Sequence, residues 1–315
     1  MTFHRLEPGP GTLHGSWSDR RAPCLWVDSG DTVSLRTLDV SWGLEPPTRV
    51  DRPRARFEPR EDGPCLTGPV GIRGAEPGMT LEVRLRGVRP GPYGFTYAGG
   101  DRWFNAELNR RAGVAHLPFE LVRWDISDAA RSDCGWEVPL RPFPGTLGLS
   151  PPGEHSGWFP SSCGGNMDCR ELIGGAVLYL PVQVPGALLS AGDGHAAQGD
   201  GELCGMAVEC PLEALDLELV LHEDWPVASP HLRTAAEWIT LGFGEDLDDA
   251  VAMALNAMLD LLVVRLELTR PRALALLSVR GDMRVTQLVN RVRGVHCAVP
   301  LGMLEPCGPG PGRLP

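Results

Sequence analysis

Residues 80–86 read TLEVRLR. Leu81, Val83 and Leu85 alternate with Glu82, Arg84 and Arg86, giving one apolar face and one charged face pointing outward. Side chains of an extended chain point to opposite sides in turn, so this alternation marks a half-buried strand. Residues 214–221 repeat it, with Leu215, Leu217, Leu219 and Leu221 set against Asp216, Glu218 and Val220. Residues 31–38, DTVSLRTL, place Val33, Leu35 and Thr37 on one side. Residues 176–184, AVLYLPVQV, are apolar almost throughout, which suits a central sandwich strand broken at Pro181.

Composition agrees with these strands. The chain has 39 glycines and 30 prolines among 315 residues, well above the average combined share of roughly 12%. Such residues interrupt helices and suit short strands joined by tight turns. Clusters of them at 87–94 and 142–153 read as punctuation between strands. With 43% apolar residues the chain can fill a sizeable core. Residues 1–235 are therefore expected to form a mainly β, jelly-roll-like β-sandwich body.

The character changes after residue 235. Residues 236–241, AEWITL, read as a strand. Asp246 is placed to cap a helix over 247–267, with Asp249 also near its positive end. Val251, Ala254, Leu255, Met258 and Leu262 supply its apolar stripe. A second helix follows Thr269, with Pro271 tolerated in the first turn. Residues 283–292, MRVTQLVNRV, return to strand. Residues 236–300 thus read as a β-α-α-β unit packed on the body, and 301–315 as a loose tail.

All 29 basic residues are arginine. The absence of lysine excludes Schiff-base chemistry, a GKS- or GKT-type P-loop, and amidase triads built on Ser–Ser–Lys or Glu–Lys–Cys. A formal charge of −11 argues against nucleic-acid binding, which needs a basic surface. The first fifteen residues lack an apolar core segment, so a secretory signal is not expected. Without an apolar run of about 18 residues, a membrane span is not expected either. Nine scattered cysteines with no CxxC pair read as reduced thiols of a cytoplasmic protein.

Two stretches carry chemistry: SSCGGNMDCREL at 161–172 and SAGDGHAAQGDGELCGMAVE at 190–209. Asp193 and His195 are two apart, so in extended backbone both side chains point the same way. A carboxylate and an imidazole aimed at one point can hold a divalent metal. Asp200 and Glu202 repeat the spacing, and the glycines between let the backbone turn sharply or approach a ligand. Plainer readings exist for each. Gly-Asp-Gly is ordinary turn chemistry, Asp200-Gly201 suits a hairpin turn, Asp168 suits a turn after two glycines, and Glu209 suits a solvated strand position.

The words GGNMDCREL at 164–172 and GDGHAAQGDGE at 192–202 resemble the acetamidase/formamidase family. So do GDTVSLRTLDVSWG at 30–43, GPVGIRGAEPGMTLEVRL at 68–85 and ALLSVRGDMRVTQLVNRVRGVHCAVP at 275–300. These words are long, unusual and in order along most of the chain. The resemblance implies a β-sandwich with an appended β-α-α-β unit, and hydrolysis of short amides to carboxylate and ammonia. It also implies a bound divalent metal of zinc or calcium type, a small amide as substrate, and a homo-oligomer.

Carried onto this chain, the resemblance makes Asp193 and His195 the first metal ligands. Asp168 is a third ligand or a partner of the histidine. Asn166 hydrogen-bonds the amide or supports the loop. Glu209 is the candidate general base, passing a proton from water to the departing amine. Asp200 and Glu202 orient His195 or hold a second, harder cation, and Asp39 is a further candidate ligand. Cys163 stands where some relatives have another polar residue; a ligand, a nucleophile and a small buried thiol are its three readings. Residues 99–126, with Trp103, Phe104, Phe119 and Trp124, fit none of the family words and are placed to reshape a pocket, which His155 and Trp158 also approach. Two further readings stay open: a catalytically silent relative that binds a small ligand or partner, and a hydrolase of a larger amide.

Overall fold

The alternating leucines need a second apolar layer, and they find it in an opposing sheet. The computed structural model describes residues 1–101 and 105–304. It is mainly β, with two large sheets. Across the nine-stranded sheet the order is Phe3–Leu6, Thr32–Leu35, Leu212–His222, Thr80–Pro90, Val177–Pro181, His231–Arg233, Glu237–Gly244, Arg293–Pro300 and Asp282–Gln287. Leu81, Val83, Leu85, Leu215, Leu217 and Leu219 are essentially inaccessible on its inner face. They share one core with Val70, Ile72, Phe143, Leu147, Leu189 and Ala191 of the eleven-stranded sheet. The expected sandwich is therefore present.

The nine-stranded sheet has a second apolar face. Val177, Tyr179, Trp238, Val295, Cys297 and Val299 point away from the sandwich and pack under two helices. This explains the unbroken apolar run at 176–181: both faces of that strand are covered. Helix α1 (Leu247–Leu266) is capped by Asp246, whose side chain accepts from the Asp249 amide at 2.9 Å. Ala254, Met258 and Leu262 form its buried stripe. Helix α2 (Arg270–Arg280) follows the cap position Thr269, with Pro271 in its first turn.

The C-terminal unit differs from the expected β-α-α-β in two ways. It contains an additional strand, Arg293–Pro300, which lies between Glu237–Gly244 and Asp282–Gln287. Its strands also continue the body's own sheet through His231–Arg233 instead of forming a separate layer. The strand expected over 283–292 ends at Gln287, and the chain turns back at 288–292. Leu301–Met303 form a short 3-10 turn and Leu304 is buried; the rest of the segment read as a tail, and Trp103 and Phe104, lie outside the described residues.

Two local expectations are corrected. Glu82 faces away from the core as alternation requires, yet it is buried. His222 meets it at 2.6 Å and Arg84 also pairs with it, while Arg84 reaches Glu218 at 2.7 Å. That face is covered around Trp225, which packs on Tyr179 with ring centres 4.9 Å apart. The glycine- and proline-rich stretch at 142–153 is not punctuation throughout: Phe143–Leu149 is a wholly buried strand. Among the described residues, no helix is long and apolar enough to cross a membrane.

Candidate active site

The strand Phe143–Leu149 pairs with Leu189–His195 on one side and with Gly164–Asn166 on the other. This places the two chemistry-bearing words on either side of one shared strand. Gly194 and His195 also pair with Cys210 and Glu209 of the next strand. Asp168, Asp193, His195 and Glu209 thereby converge, although they come from two strands and a loop. Each is almost completely buried.

The local backbone is unusual. Asp168, Asp193 and Glu202 have φ of 50°, 56° and 48°, a region that residues other than glycine rarely occupy. Asp193 and His195 do converge, but not through plain extended backbone. A left-handed residue stands between two ladder pairs, Pro144 with Gly194 and Thr146 with Gly192. The carboxylate of Asp193 lies 3.4 Å from His195 Nε2, and that of Glu209 lies 3.3 Å from the same nitrogen. Ligand-type atoms of Asp168, Asp193 and His195 lie within 4.8 Å of one another, as do those of His195, Glu202 and Glu209.

Glycine 145 makes this convergence feasible. A Cβ at that position would stand 2.6 Å from His195 Cε1 and 2.9 Å from carboxylate oxygens of both Asp168 and Asp193. The space facing Gly145 is thus the shared focus of the three side chains. Around it the acids are held in place. Thr146 Oγ1 lies 2.6 Å from Asn166 Oδ1 and 3.2 Å from Asp193 Oδ2. Asn166 donates to the Trp158 carbonyl at 3.1 Å. The Ala207 amide donates to Glu209 Oε1 at 2.8 Å. Asn290 Nδ2 donates to Asp168 Oδ2 at 3.1 Å, and Phe143 meets the His195 ring edge-on.

Four buried carboxyls cannot all be charged at no cost. Burial, reinforced by the Asp193 charge, pushes the Asp168 carboxyl up to about 7. Burial and the Asp168 charge push Glu202 well above the ordinary carboxyl range, and burial raises Glu209 as well. Burial alone would lower the His195 imidazole, but the carboxylates of Glu209 and Asp193 outweigh it and hold it well above its usual value. This concentration of negative charge around one histidine suits a cation. Asp168 Oδ1, His195 Nδ1 and Glu209 Oε2 are buried with no hydrogen-bond partner. Orphaned donors of oxygen and nitrogen type fit a divalent metal.

The cluster forms the floor of a cavity of about 570 Å³. Trp42, Tyr97, Phe119 and Trp158 stand in its walls, with Arg56 and Arg60 also lining it. Phe119 and Asn105 show that the segment after residue 99 does contribute to the pocket.

Other expected residues lie elsewhere. Asp39 is fully buried, but Arg54 binds it through two nitrogens at 2.7 and 2.8 Å, and the Tyr93 hydroxyl donates to it at 3.0 Å. Its carboxylate is committed to that pair. Asp200 is on the surface, 3.5 Å from Arg170, because the turn at Gly201 sends Asp200 and Glu202 in different directions. His155 is exposed and bonds the Pro152 carbonyl. Cys163 is a buried thiol in the apolar core, pushed up to about 12 by burial. Sequence reasoning did not single out Gly145, Thr146 or Asn290; the first two sat in a stretch read as a turn, and Asn290 in one read as a strand.

The sequence model of the Acetamidase/Formamidase family matches residues 159–301. A formamidase of Methylophilus methylotrophus is 41% identical over 275 residues, covering 68% of this chain and 65% of that protein. The chain spans from half to about two thirds of the length of the curated relatives it matches. A predicted acetamidase/formamidase from Thermoanaerobacter tengcongensis superposes with a TM-score of 0.85 at 26% identity, covering 96% of this chain and 97% of that one. An acetamidase from Bacillus halodurans gives 0.84 at 27%, covering 95% and 97%. The sequence words, the two-sheet fold and these matches agree in likening the chain to the acetamidase/formamidase family.

Proposed function

We propose that this protein is an amidohydrolase that converts short aliphatic amides of the formamide or acetamide type, with one water, to the carboxylate and ammonia. The observation that carries this reading is the buried convergence of Asp168, Asp193 and His195 on the space facing Gly145, with Glu209 against the same imidazole. Asp168, Asp193 and His195 would hold a divalent cation, of zinc or calcium type on the family likeness. Such a cation supplies Lewis acidity, which lowers the pKa of a water and polarises a carbonyl.

The chain's own groups supply the rest. Glu209 Oε2 lacks a hydrogen-bond partner and faces the cluster, so it can take a proton from water and return it to the departing nitrogen. Burial raises its carboxyl toward the range where both steps are feasible. Burial and their mutual repulsion raise the Glu202 and Asp168 carboxyls together, which limits the charge around His195. Asn166 is fixed by Thr146 and Trp158 and supports the loop that carries Asp168.

The decisive test is ammonia release from formamide, acetamide and propionamide before and after chelation, with metal added back. Release lost on chelation and restored by one metal is expected. Release indifferent to chelation would overturn the metal role. His195→Ala should lose both bound metal and turnover while staying folded; wild-type activity in that variant would sink the mechanism.

A larger amide is the second reading, favoured by a cavity of about 570 Å³ with four aromatic walls. Profiling aromatic and longer-chain amides against acetamide separates the two. Metal content separates both from a silent binding relative. We also infer a cytoplasmic homo-oligomer, on the family likeness and on the free thiols of all eight described cysteines. Light scattering of the purified protein tests the subunit number.

A further inference from the structure

Asp168 and Cys169 are neighbours in sequence whose side chains serve different clusters. Asp168 belongs to the candidate active site; Cys169 meets Glu171 and His296 instead. Cys169 and His296 are wholly inaccessible, and Glu171 is 5% exposed. Cys169 Sγ lies 3.5 Å from Glu171 Oε2, and His296 Nε2 lies 3.8 Å from the same oxygen. One ligand-type atom from each of the three residues falls within 4.8 Å of the others.

The partners of this cluster leave the three groups turned toward one another. Glu171 Oε1 faces Arg141 and Arg170 at 3.5 and 3.4 Å, which leaves Oε2 for the cluster. His296 Nδ1 is engaged by Thr286 Oγ1 at 2.8 Å. His296 Nε2 has no hydrogen-bond partner. A fully buried imidazole nitrogen aimed at a thiol and a carboxylate, with its other nitrogen fixed by a hydroxyl, has the arrangement of a metal-binding histidine.

We propose that Cys169, Glu171 and His296 form a second metal site that takes a zinc-type divalent cation. Sulfur, nitrogen and oxygen together favour a borderline-soft ion over magnesium or calcium. With metal–ligand bonds of about 2.0–2.3 Å, a tetrahedral ion spaces its ligands roughly 3.3–3.7 Å apart. The separations of 3.5 and 3.8 Å to Glu171 are close to this. Binding displaces the thiol proton to solvent and leaves a thiolate on the cation. The ion would fasten the segment after Asp168 to the strand Arg293–Pro300, steadying Asp168 from behind. The site is independent of the amidase reading and stands whether or not the chain hydrolyses amides.

Cobalt(II) tests it, because thiolate ligation gives an intense near-ultraviolet charge-transfer band that carboxylate and imidazole ligands do not. Full-length protein freed of metal by chelation is titrated with Co²⁺. The expected result is a band that saturates at one equivalent, is removed by Zn²⁺, is absent in Cys169→Ser and persists in Asp193→Asn. His296→Ala and Glu171→Gln should each weaken the binding by tenfold or more. Cobalt uptake by folded wild-type protein without the band overturns the proposal, as does a band that survives Cys169→Ser. If Cys169→Ser does not fold, unchanged band affinity in both His296→Ala and Glu171→Gln overturns it.

Discussion

The strands Thr80–Pro90 and Leu212–His222 differ from Phe143–Leu149 and Leu189–His195 in what fills them. The first pair presents leucines and a valine to one shared core. The second pair is interrupted by Gly145, Gly148, Gly192 and Gly194, and the room where their side chains would be is taken by backbone and by site groups. In the first region apolar volume carries stability, and many residues of similar size would serve. In the second, close approach and hydrogen bonds fix atoms to a few tenths of an ångström, and little volume can change.

Four experiments test that contrast. Leu217→Ala empties part of the shared core and should cost about 3–4 kcal/mol, read by urea unfolding, while turnover per folded molecule is unchanged. A loss below about 1 kcal/mol would mean that this pair of strands is not what holds the sandwich.

The glycine-rich region should instead make stability depend on pH. His14 is buried beside it, its Nδ1 donating to the Ser16 carbonyl and its Nε2 accepting from the Ser190 hydroxyl, at 2.9 Å each. Burial lowers its pKa to about 4. Below the ordinary imidazole value of 6.5 the unfolded chain takes up a proton that the folded chain refuses. The stabilisation is therefore present above pH 6.5 and is lost as pH falls toward 4, by about 3 kcal/mol. Unfolding of wild type and His14→Gln at pH 7 and pH 4 checks this; equal losses in both proteins would remove His14 as the cause.

Gly145→Ala is the converse of Leu217→Ala. The added methyl presses on His195, Asp168 and Asp193, so turnover should fall about a hundredfold with a much smaller change in unfolding midpoint. Undiminished turnover would mean that the focus of the site lies elsewhere. The smallest effect belongs to the helical cover: Asp246→Ala should cost about 1 kcal/mol and leave turnover untouched, with the loss absent if the cap bond to Asp249 does not form in solution.

The same contrast explains what could be read from the sequence. Leu81, Val83 and Leu85 announce their face because burial there selects side chains by type, and Asp246 announces a helix start because capping has its own chemistry. Phe143–Leu149 carries no period-two signal, since two of its seven positions are glycines covered on both sides. Asp168, Asp193, His195, Glu202 and Glu209 could be found because charged groups among glycines are conspicuous. Asn290 could not, because its value comes from a turn at 288–292 that brings it to Asp168. Asp39 and Asp200 show the limit in the other direction: an acid in a family-like word is still free to pair with Arg54 or to face solvent.

Asp168, Asp193 and Glu202 all occupy left-handed backbone, at about 1 kcal/mol each for a residue other than glycine. Glycine would remove that strain at all three positions and would also relieve the mutual repulsion of buried acids. A glycine there would exchange a positioned carboxylate for a relaxed backbone. These three carboxylates are therefore held in place at the expense of the local backbone that carries them.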